Sequence, residues 1–113
     1  MSKRVSLSVP VNSGLYEILP IKTAQDISAW QFRAYVYDPA DPTVAMASIA
    51  LTIDSDDKTV ALMLTPETLT NLLGAATEKS LQYVVLIKPN GLTFGVRARY
   101  GILFLFGGGP EWQ

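Results

Sequence analysis

The stretch Trp30-Gln31-Phe32-Arg33-Ala34-Tyr35-Val36-Tyr37-Asp38 alternates between two kinds of side chain. Its even-numbered positions up to Val36 are apolar, and its odd-numbered positions are polar or amphipathic. Because successive side chains of a β-strand point to opposite faces, this period of two predicts a half-buried strand over residues 28–38. The turn-forming run Asp38-Pro39-Ala40-Asp41-Pro42 should end that strand.

The same period recurs in other segments on both sides of this strand. Those segments are residues 4–9, 16–21, 47–53, 59–65, 81–88, 92–99 and 101–106. Polar residues 54–58 and the run Pro89-Asn90-Gly91 separate neighbouring segments as hairpin turns do. Pro10 and Pro20 favour edge positions for the first two strands, because proline cannot donate a hydrogen bond within a sheet. Seven or eight short strands predict an all-β, antiparallel sandwich.

One segment follows a helical pattern instead. Thr65 offers a capping hydroxyl, Pro66 suits the first helical position, and Glu67 places a carboxylate in the first turn. Leucines at positions 69, 72 and 73 then share one helical face, and Gly74 can end the helix. We expect one short helix that links two strands across an end of the sandwich.

Length and composition narrow the classes of function. The 113 residues predict one domain spanning 1–113, with 107–113 as a flexible C-terminal arm after the glycine run. A net charge of −1 lacks the basic surplus that nucleic-acid binding needs. The apolar run 100–106 is too short to span a bilayer, so we expect no membrane partner and synthesis in a cytoplasm.

The chain contains neither cysteine nor histidine. Disulfides, thiolate nucleophiles, imidazole bases and the usual zinc sites are therefore excluded. A carboxylate-based hydrolase stays open as an alternative, but the sequence does not place two carboxylates at catalytic separation. The acidic turn of Asp54, Asp56 and Asp57 is the best metal candidate, yet a solvated hairpin tip is the commoner role of such a turn. We therefore expect no enzymatic activity, no cofactor and no bound metal.

Six residues are candidates for contact with a partner protein. Tyr35 and Tyr37 lie on the amphipathic face of the first strand, and Arg97 and Arg99 stand two positions apart, which predicts one shared strand face. Phe106 ends a final strand that is apolar on both faces, and Trp112 follows the glycine run as a large anchor for an interface. An alternative is a carbohydrate-binding module in which Tyr35, Tyr37 and Tyr100 form a stacking platform.

The core should form where the apolar faces of the strands meet. The residues that we expect to be buried together are Trp30, Phe32, Leu62, Leu64, Tyr83, Val85 and Ile87.

The order of these features resembles the immunoglobulin-like N-terminal domain of the baseplate upper protein family of tailed bacteriophages. The resemblance rests on the acidic turn, the run Val60-Ala61-Leu62-Met63-Leu64-Thr65, the Thr- and Leu-containing helix, the Tyr83 strand, Pro89-Asn90-Gly91 and the Gly101-led last strand. It also includes the early strand that carries Trp30 to Val36. The resemblance covers about three quarters of the chain and implies an immunoglobulin-like sandwich.

Members of that family continue into a fibre or receptor-binding adaptor region, whereas this sequence ends at Gln113. The resemblance therefore implies a stand-alone virion protein: a tail, baseplate or fibre-joining subunit, or a subunit that decorates the capsid. Such a protein would act by binding other virion proteins, as a homo-oligomer or in a symmetric multi-copy assembly.

Overall fold

The computed structural model describes residues 3–107, in which nine strand segments and one helix occur. In chain order they are β1 (Lys3–Arg4), β2 (Leu7–Pro10), β3 (Leu15–Pro20), β4 (Gln31–Asp38), β5 (Asp41–Ser48), β6 (Ala50–Asp54), β7 (Thr59–Leu64), α1 (Pro66–Leu73), β8 (Glu78–Lys88) and β9 (Val96–Phe106). Trp112 and all of the predicted arm except Gly107 lie outside the described residues. No helix between residues 3 and 107 is long and apolar enough to cross a membrane.

The strands form two sheets. The larger sheet has the order β1-β9-β8-β4-β5, with β2 also paired to β9, and the smaller has the order β3-β7-β6. β1 and β2 run parallel to β9 as two parts of one edge, and the other pairings are antiparallel. Two sheets with this strand order form an immunoglobulin-like sandwich, which confirms the predicted fold class.

The connections divide between the two ends of the sandwich. At the end that we call upper lie residues 21–30, the turn 55–58 and residues 89–95. At the lower end lie residues 11–14, the short link between β4 and β5, and α1.

The core lies between the inward faces of the two sheets. Leu62, Leu64, Tyr83 and Val85 are buried there, as predicted. Other buried members of the same cluster include Val36, Val60, Leu69, Leu81, Leu103 and Leu105.

Three predicted core residues are only half-buried. Phe32 packs against the core from its margin, whereas Trp30 and Ile87 do not belong to the core cluster. The prediction was wrong for Trp30 and Ile87 because both lie at the upper end, where β4 begins and β8 is about to end.

The predicted helix is confirmed as α1. The Thr65 hydroxyl accepts a hydrogen bond from the Thr68 amide at 3.2 Å, and Pro66 occupies the first helical turn. Gly74 ends the helix with a φ of 64°, a conformation that favours glycine. The buried leucines of α1 close the lower end of the core.

The predicted strand 47–53 is divided between the two sheets. β5 belongs to the larger sheet and β6 to the smaller, and Ile49 stands between them. The Ile49 side chain is buried, and its amide donates a hydrogen bond to the Ala34 carbonyl at 2.9 Å. The sequence predicts a turn rather than a strand around Pro42, but β5 is an edge strand, where proline is tolerated.

Candidate functional site

The outer face of the larger sheet brings several of the predicted partner-binding residues together. We call it the front face and define it by outward-pointing residues of four strands. They are Arg4 of β1; Arg33, Tyr35 and Tyr37 of β4; Gln82, Val84 and Leu86 of β8; and Arg97, Tyr100, Ile102, Phe104 and Phe106 of β9. Backbone pairing sets these side chains in rows across the sheet, since paired residues of neighbouring strands share a face.

Tyrosines lie at the centre of the front face. The Tyr35 and Tyr37 rings are 5.8 Å apart between centroids, tilted by 51°. Val84 pairs with both Tyr35 and Tyr100, so two tyrosines flank it in one row. Val84 is only 6% exposed although it points outward, which shows that its neighbours cover it. The tyrosines are half-buried and present a broad surface that is partly apolar.

Arg97 and Arg99 do not share a face, so that prediction was wrong. Val85 pairs with Arg99 and Leu86 pairs with Arg97, which leaves Ala98 as an extra residue in β9. Such a bulge reverses the alternation of side chains. Arg97 therefore points outward, with its guanidinium carbon 3.9 Å from the centre of the Tyr100 ring. Arg99 is 7% exposed and lies inside the sandwich.

The upper rows of the front face carry positive charge. Leu86 lies between Arg33 and Arg97 in one row, and Arg4 extends the Tyr100 row on the edge strand. No acidic residue stands in these two rows among residues 3–107. The cation of Arg97 is held over an aromatic ring, an arrangement that keeps it in a fixed position without neutralising its charge.

In the lower rows of the front face, apolar side chains of β9 are flanked by polar side chains of β8. Phe104 and Phe106 have ring centroids 6.0 Å apart in a stacked arrangement. Pro10 and Ser8 pair with them on β2, and Glu78 pairs with Phe106 on the other side. Phe106, a predicted partner-binding residue, therefore lies on the same face as Tyr35 and Tyr37.

The buried Arg99 joins the two sheets. Its Nη1 atom lies 3.5 Å from Oε1 of Glu17 on β3, a separation at the long limit of a hydrogen bond. Nearby, the Tyr83 hydroxyl donates a hydrogen bond to the Val5 carbonyl. These groups link β9, β3, β8 and the N-terminal edge. Arg99 therefore has a structural role and is not part of the candidate docking surface.

Burial raises the pKa of the Tyr83 phenol above its usual range, and the nearby Arg99 cation acts in the opposite direction. Because the folded-state pKa is the higher one, Tyr83 contributes stability below about pH 10 that is lost as the pH rises further. We expect Tyr83→Phe to lower the free energy of unfolding at pH 7 by about 1 kcal/mol through loss of one hydrogen bond. The variant should lose less stability than the wild type between pH 9 and 11, as urea unfolding would show. Equal alkaline losses would contradict this assignment.

The outer face of the smaller sheet differs in character. We call it the back face and define it by Tyr16, Ile18 and Pro20 of β3, Thr59, Ala61 and Met63 of β7, and Ala50, Thr52 and Asp54 of β6. Tyr16, Ile18 and Met63 are 65%, 52% and 45% exposed. Asp54, at the upper end, carries the sole charge among these nine residues.

An acidic tip extends the upper edge of the back face. Asp54 Oδ1 accepts hydrogen bonds from the amides of Asp56 and Asp57, each at 3.1 Å. In the neighbouring segment, hydrogen bonds from Ser28 hold the pKa of Asp26 below its usual range, so this carboxylate stays ionised. Between residues 3 and 107, no three His, Cys, Asp or Glu side chains are grouped to hold a metal ion.

We expect calcium to leave the melting temperature unchanged, because the Asp54 carboxylate already stabilises its own turn. The fold should also persist in chelator between about pH 6 and 8. Differential scanning fluorimetry with and without calcium would measure this. A calcium-dependent rise of several degrees that Asp56→Ala abolishes would contradict it.

Sequence reasoning missed the back face and the contributions of Arg4 and Arg33 to the front face. Tyr16 and Ile18 alternate with Leu15 and Leu19 within one strand, but that segment is apolar on both faces. The exposed set appears only when β3 is paired with β7, which places Tyr16 opposite Met63. Arg4 joins the front face through pairing between opposite ends of the chain.

Comparison with known proteins supports the fold. No family model matches the sequence, and no curated protein matches it. A solved structure of the zebrafish RET cadherin-like domains 1 to 4 is similar, with a TM-score of 0.52 and 13% sequence identity. The match covers 93% of this chain and 23% of that chain, so this chain corresponds to a small part of the matched protein. At this identity the similarity shows a shared β-sandwich fold.

Proposed function

We propose that this chain is a non-enzymatic structural protein of a bacteriophage virion that acts by protein–protein assembly through its front face. Its place would be the tail, the baseplate, a fibre joint or the capsid surface. The observation that carries the proposal is the combination of half-buried tyrosines with the cations of Arg33 and Arg97 on one face. The phage setting rests on the resemblance of the sequence to the baseplate upper protein family.

The composition of the front face suits a protein partner. Tyrosine and arginine are enriched in the energetically important parts of interfaces. The guanidinium of Arg97 over the Tyr100 ring combines both in one contact. Because the upper rows lack acidic side chains within the described residues, the partner surface opposite them should be acidic.

Mass spectrometry of purified particles tests the proposal. The chain should occur at a multiple of five, six or twelve copies, as symmetric assemblies require. Arg33→Glu/Arg97→Glu should lower its incorporation at least about tenfold, because two like charges then face an acidic surface. Glu67→Lys, a charge reversal at an exposed position of α1 away from the front face, is the control and should incorporate normally. A chain absent from particles would overturn the proposal.

A carbohydrate-binding module is the second candidate, and the shared face of Tyr35, Tyr37 and Tyr100 favours it. Aromatic side chains on a flat sheet can stack against sugar rings. Glycan-array binding that Tyr35→Ala removes, with incorporation into particles unaffected, would favour this function. Absence of glycan binding would favour the structural role.

A further inference from the structure

The two broad faces of the sandwich carry opposite charges toward the same end. Within residues 3–107, the upper rows of the front face carry Arg33 and Arg97, and the upper end of the back face carries Asp54. Asp56 and Asp57 extend the negative charge just beyond it, whereas the Lys58 ammonium of the same turn donates a hydrogen bond to the Thr23 carbonyl at 2.9 Å. Below these charged regions, each face carries a group of apolar and aromatic side chains.

The ion pair between the sheets shows how far along the strands the charged residues of each face lie. Arg99 and Glu17 each lie three residues from the upper end of their strands, and the 3.5 Å contact between them sets those strands level. Counted along the strands, the row of Arg33 and Arg97 is one residue above that level, and Asp54 is three residues above it. A copy placed behind another in the same orientation, and shifted by about two residues (about 7 Å along a strand), therefore brings cations opposite carboxylates.

We propose that copies of this chain stack front to back, with the back face of one copy covering the front face of the next. Arg33 and Arg97 then lie opposite the acidic tip of the neighbouring copy. Tyr16, Ile18 and Met63 of that neighbour lie against the tyrosines and Ile102. This inference rests on the proposed docking role of the front face and names a second copy as its partner.

The dimensions of the molecule suit such a stack. The Cα atoms span 44 × 34 × 19 Å, so the molecule is a thin slab with two broad faces. A stable interface takes about 800 Å² per partner, or a patch about 28 Å across, which a face of this size can supply. Packed sheets lie about 10 Å apart. Each repeat of the stack contains one such spacing within the sandwich and one across the interface, so we expect a repeat of about 20 Å. Front and back are different surfaces, so the contact is heterologous and forms a column or a ring.

Charge and apolar contact have separate roles in the proposed interface. The apolar residues of the back face leave water when the next copy covers them, which supplies the attraction. The opposed charges set the orientation, because an inverted neighbour would place its acidic tip against Glu78 and the phenylalanines. Raising the salt concentration from about 0.1 to 1 M shortens the screening length from about 10 to 3 Å and should weaken association about tenfold.

Sedimentation velocity over a concentration series tests the stack with two variants of the full chain. Arg33→Glu/Arg97→Glu alters the front face, and Tyr16→Glu/Ile18→Glu alters the back face; the four side chains replaced are exposed. Wild type should form growing oligomers, and each variant alone should stay monomeric. An equimolar mixture should form 1:1 complexes that grow no further, because one intact front then meets one intact back.

The outcomes separate this inference from other arrangements. Self-association of the back-face variant alone would indicate front-to-front pairing, and self-association of the front-face variant alone would indicate back-to-back pairing; either overturns the stack. Thermal melting checks that both variants fold, and Glu67→Lys, a charge reversal at an exposed position of α1 outside both faces, should associate as wild type does. Wild type that stays monomeric yet occurs at symmetric copy number in particles would overturn the stack and leave the proposed function standing. Stacking by a chain absent from particles would support the inference and overturn the virion role.

Discussion

Replacing Leu62 by alanine should lower the free energy of unfolding by about 2–5 kcal/mol. The Leu62 side chain is 0% exposed and lies on the inward face of β7, the central strand of the smaller sheet. It pairs with Glu17 on one side and Leu51 on the other. Strands on both sides restrict collapse around the shortened side chain, so the variant keeps a cavity as well as losing apolar burial.

Met63→Ala is the matched control for this prediction. Met63 follows Leu62 in the same strand but points outward onto the back face. Its truncation should change the free energy of unfolding by about 0.5 kcal/mol or less, as exposed positions usually do. Urea unfolding of both variants would measure the difference. A loss below about 0.5 kcal/mol for Leu62→Ala would mean that the two faces of β7 are assigned the wrong way round.

The face assignments of β4 and β7 could be predicted because they depend on local alternation. Leu62 and Leu64 point inward for the same reason that Ala34 and Val36 do: side chains two apart share a face. The helix was equally predictable, since Thr65, Pro66 and Gly74 each act on the backbone nearest to them. Signals of this kind need no knowledge of the distant chain.

The arginines show where local pattern fails. Positions 97 and 99 should share a face in a regular strand, but the bulge at Ala98 places them on opposite faces. Nothing in the run Val96-Arg97-Ala98-Arg99 marks the extra residue, because a bulge is defined by the partner strand. The residues of β9 that lie on the front face could therefore be identified only from the pairing of β9 with β8.

Replacing Gly101 by alanine should lower the free energy of unfolding by about 2–4 kcal/mol, combining overpacking with the loss of a hydrogen bond. A Cβ atom at this position would lie 2.1 Å from the Val5 carbonyl oxygen and 2.6 Å from the carbonyl carbon. Both are backbone atoms of the segment that joins β1 to β2, so that segment must move. Hydrogen exchange should show faster opening of residues 4–10 in the variant.

Gly95→Ala controls for the general effect of replacing glycine. Gly95 precedes β9, and a Cβ atom there would lie 3.6 Å from the Ile87 carbonyl oxygen, an ordinary contact. This variant should stay within about 0.5 kcal/mol of wild type. Equal stability of the Gly95→Ala and Gly101→Ala variants would show that the N-terminal edge yields without cost.

The reason for glycine at position 101 lies in the pairing across the larger sheet. Gly101 pairs with Tyr83, and both occupy inward positions. The missing side chain leaves space into which the Val5 carbonyl turns, and the Tyr83 hydroxyl donates a hydrogen bond to it. The Val5 amide in turn donates to the Tyr100 carbonyl at 2.8 Å. Gly101 and Tyr83 therefore act on the same backbone group from opposite strands.

This shared target predicts that Gly101→Ala and Tyr83→Phe are not additive. Once alanine has displaced the Val5 carbonyl, the Tyr83 hydroxyl has already lost its acceptor. Removal of that hydroxyl should then cost little. The double variant should therefore lie within about 0.5 kcal/mol of Gly101→Ala alone, a departure from additivity of about 1 kcal/mol. Urea unfolding of the four proteins closes the cycle. Independent, additive losses would show that the glycine and the hydroxyl stabilise separate parts of the sandwich.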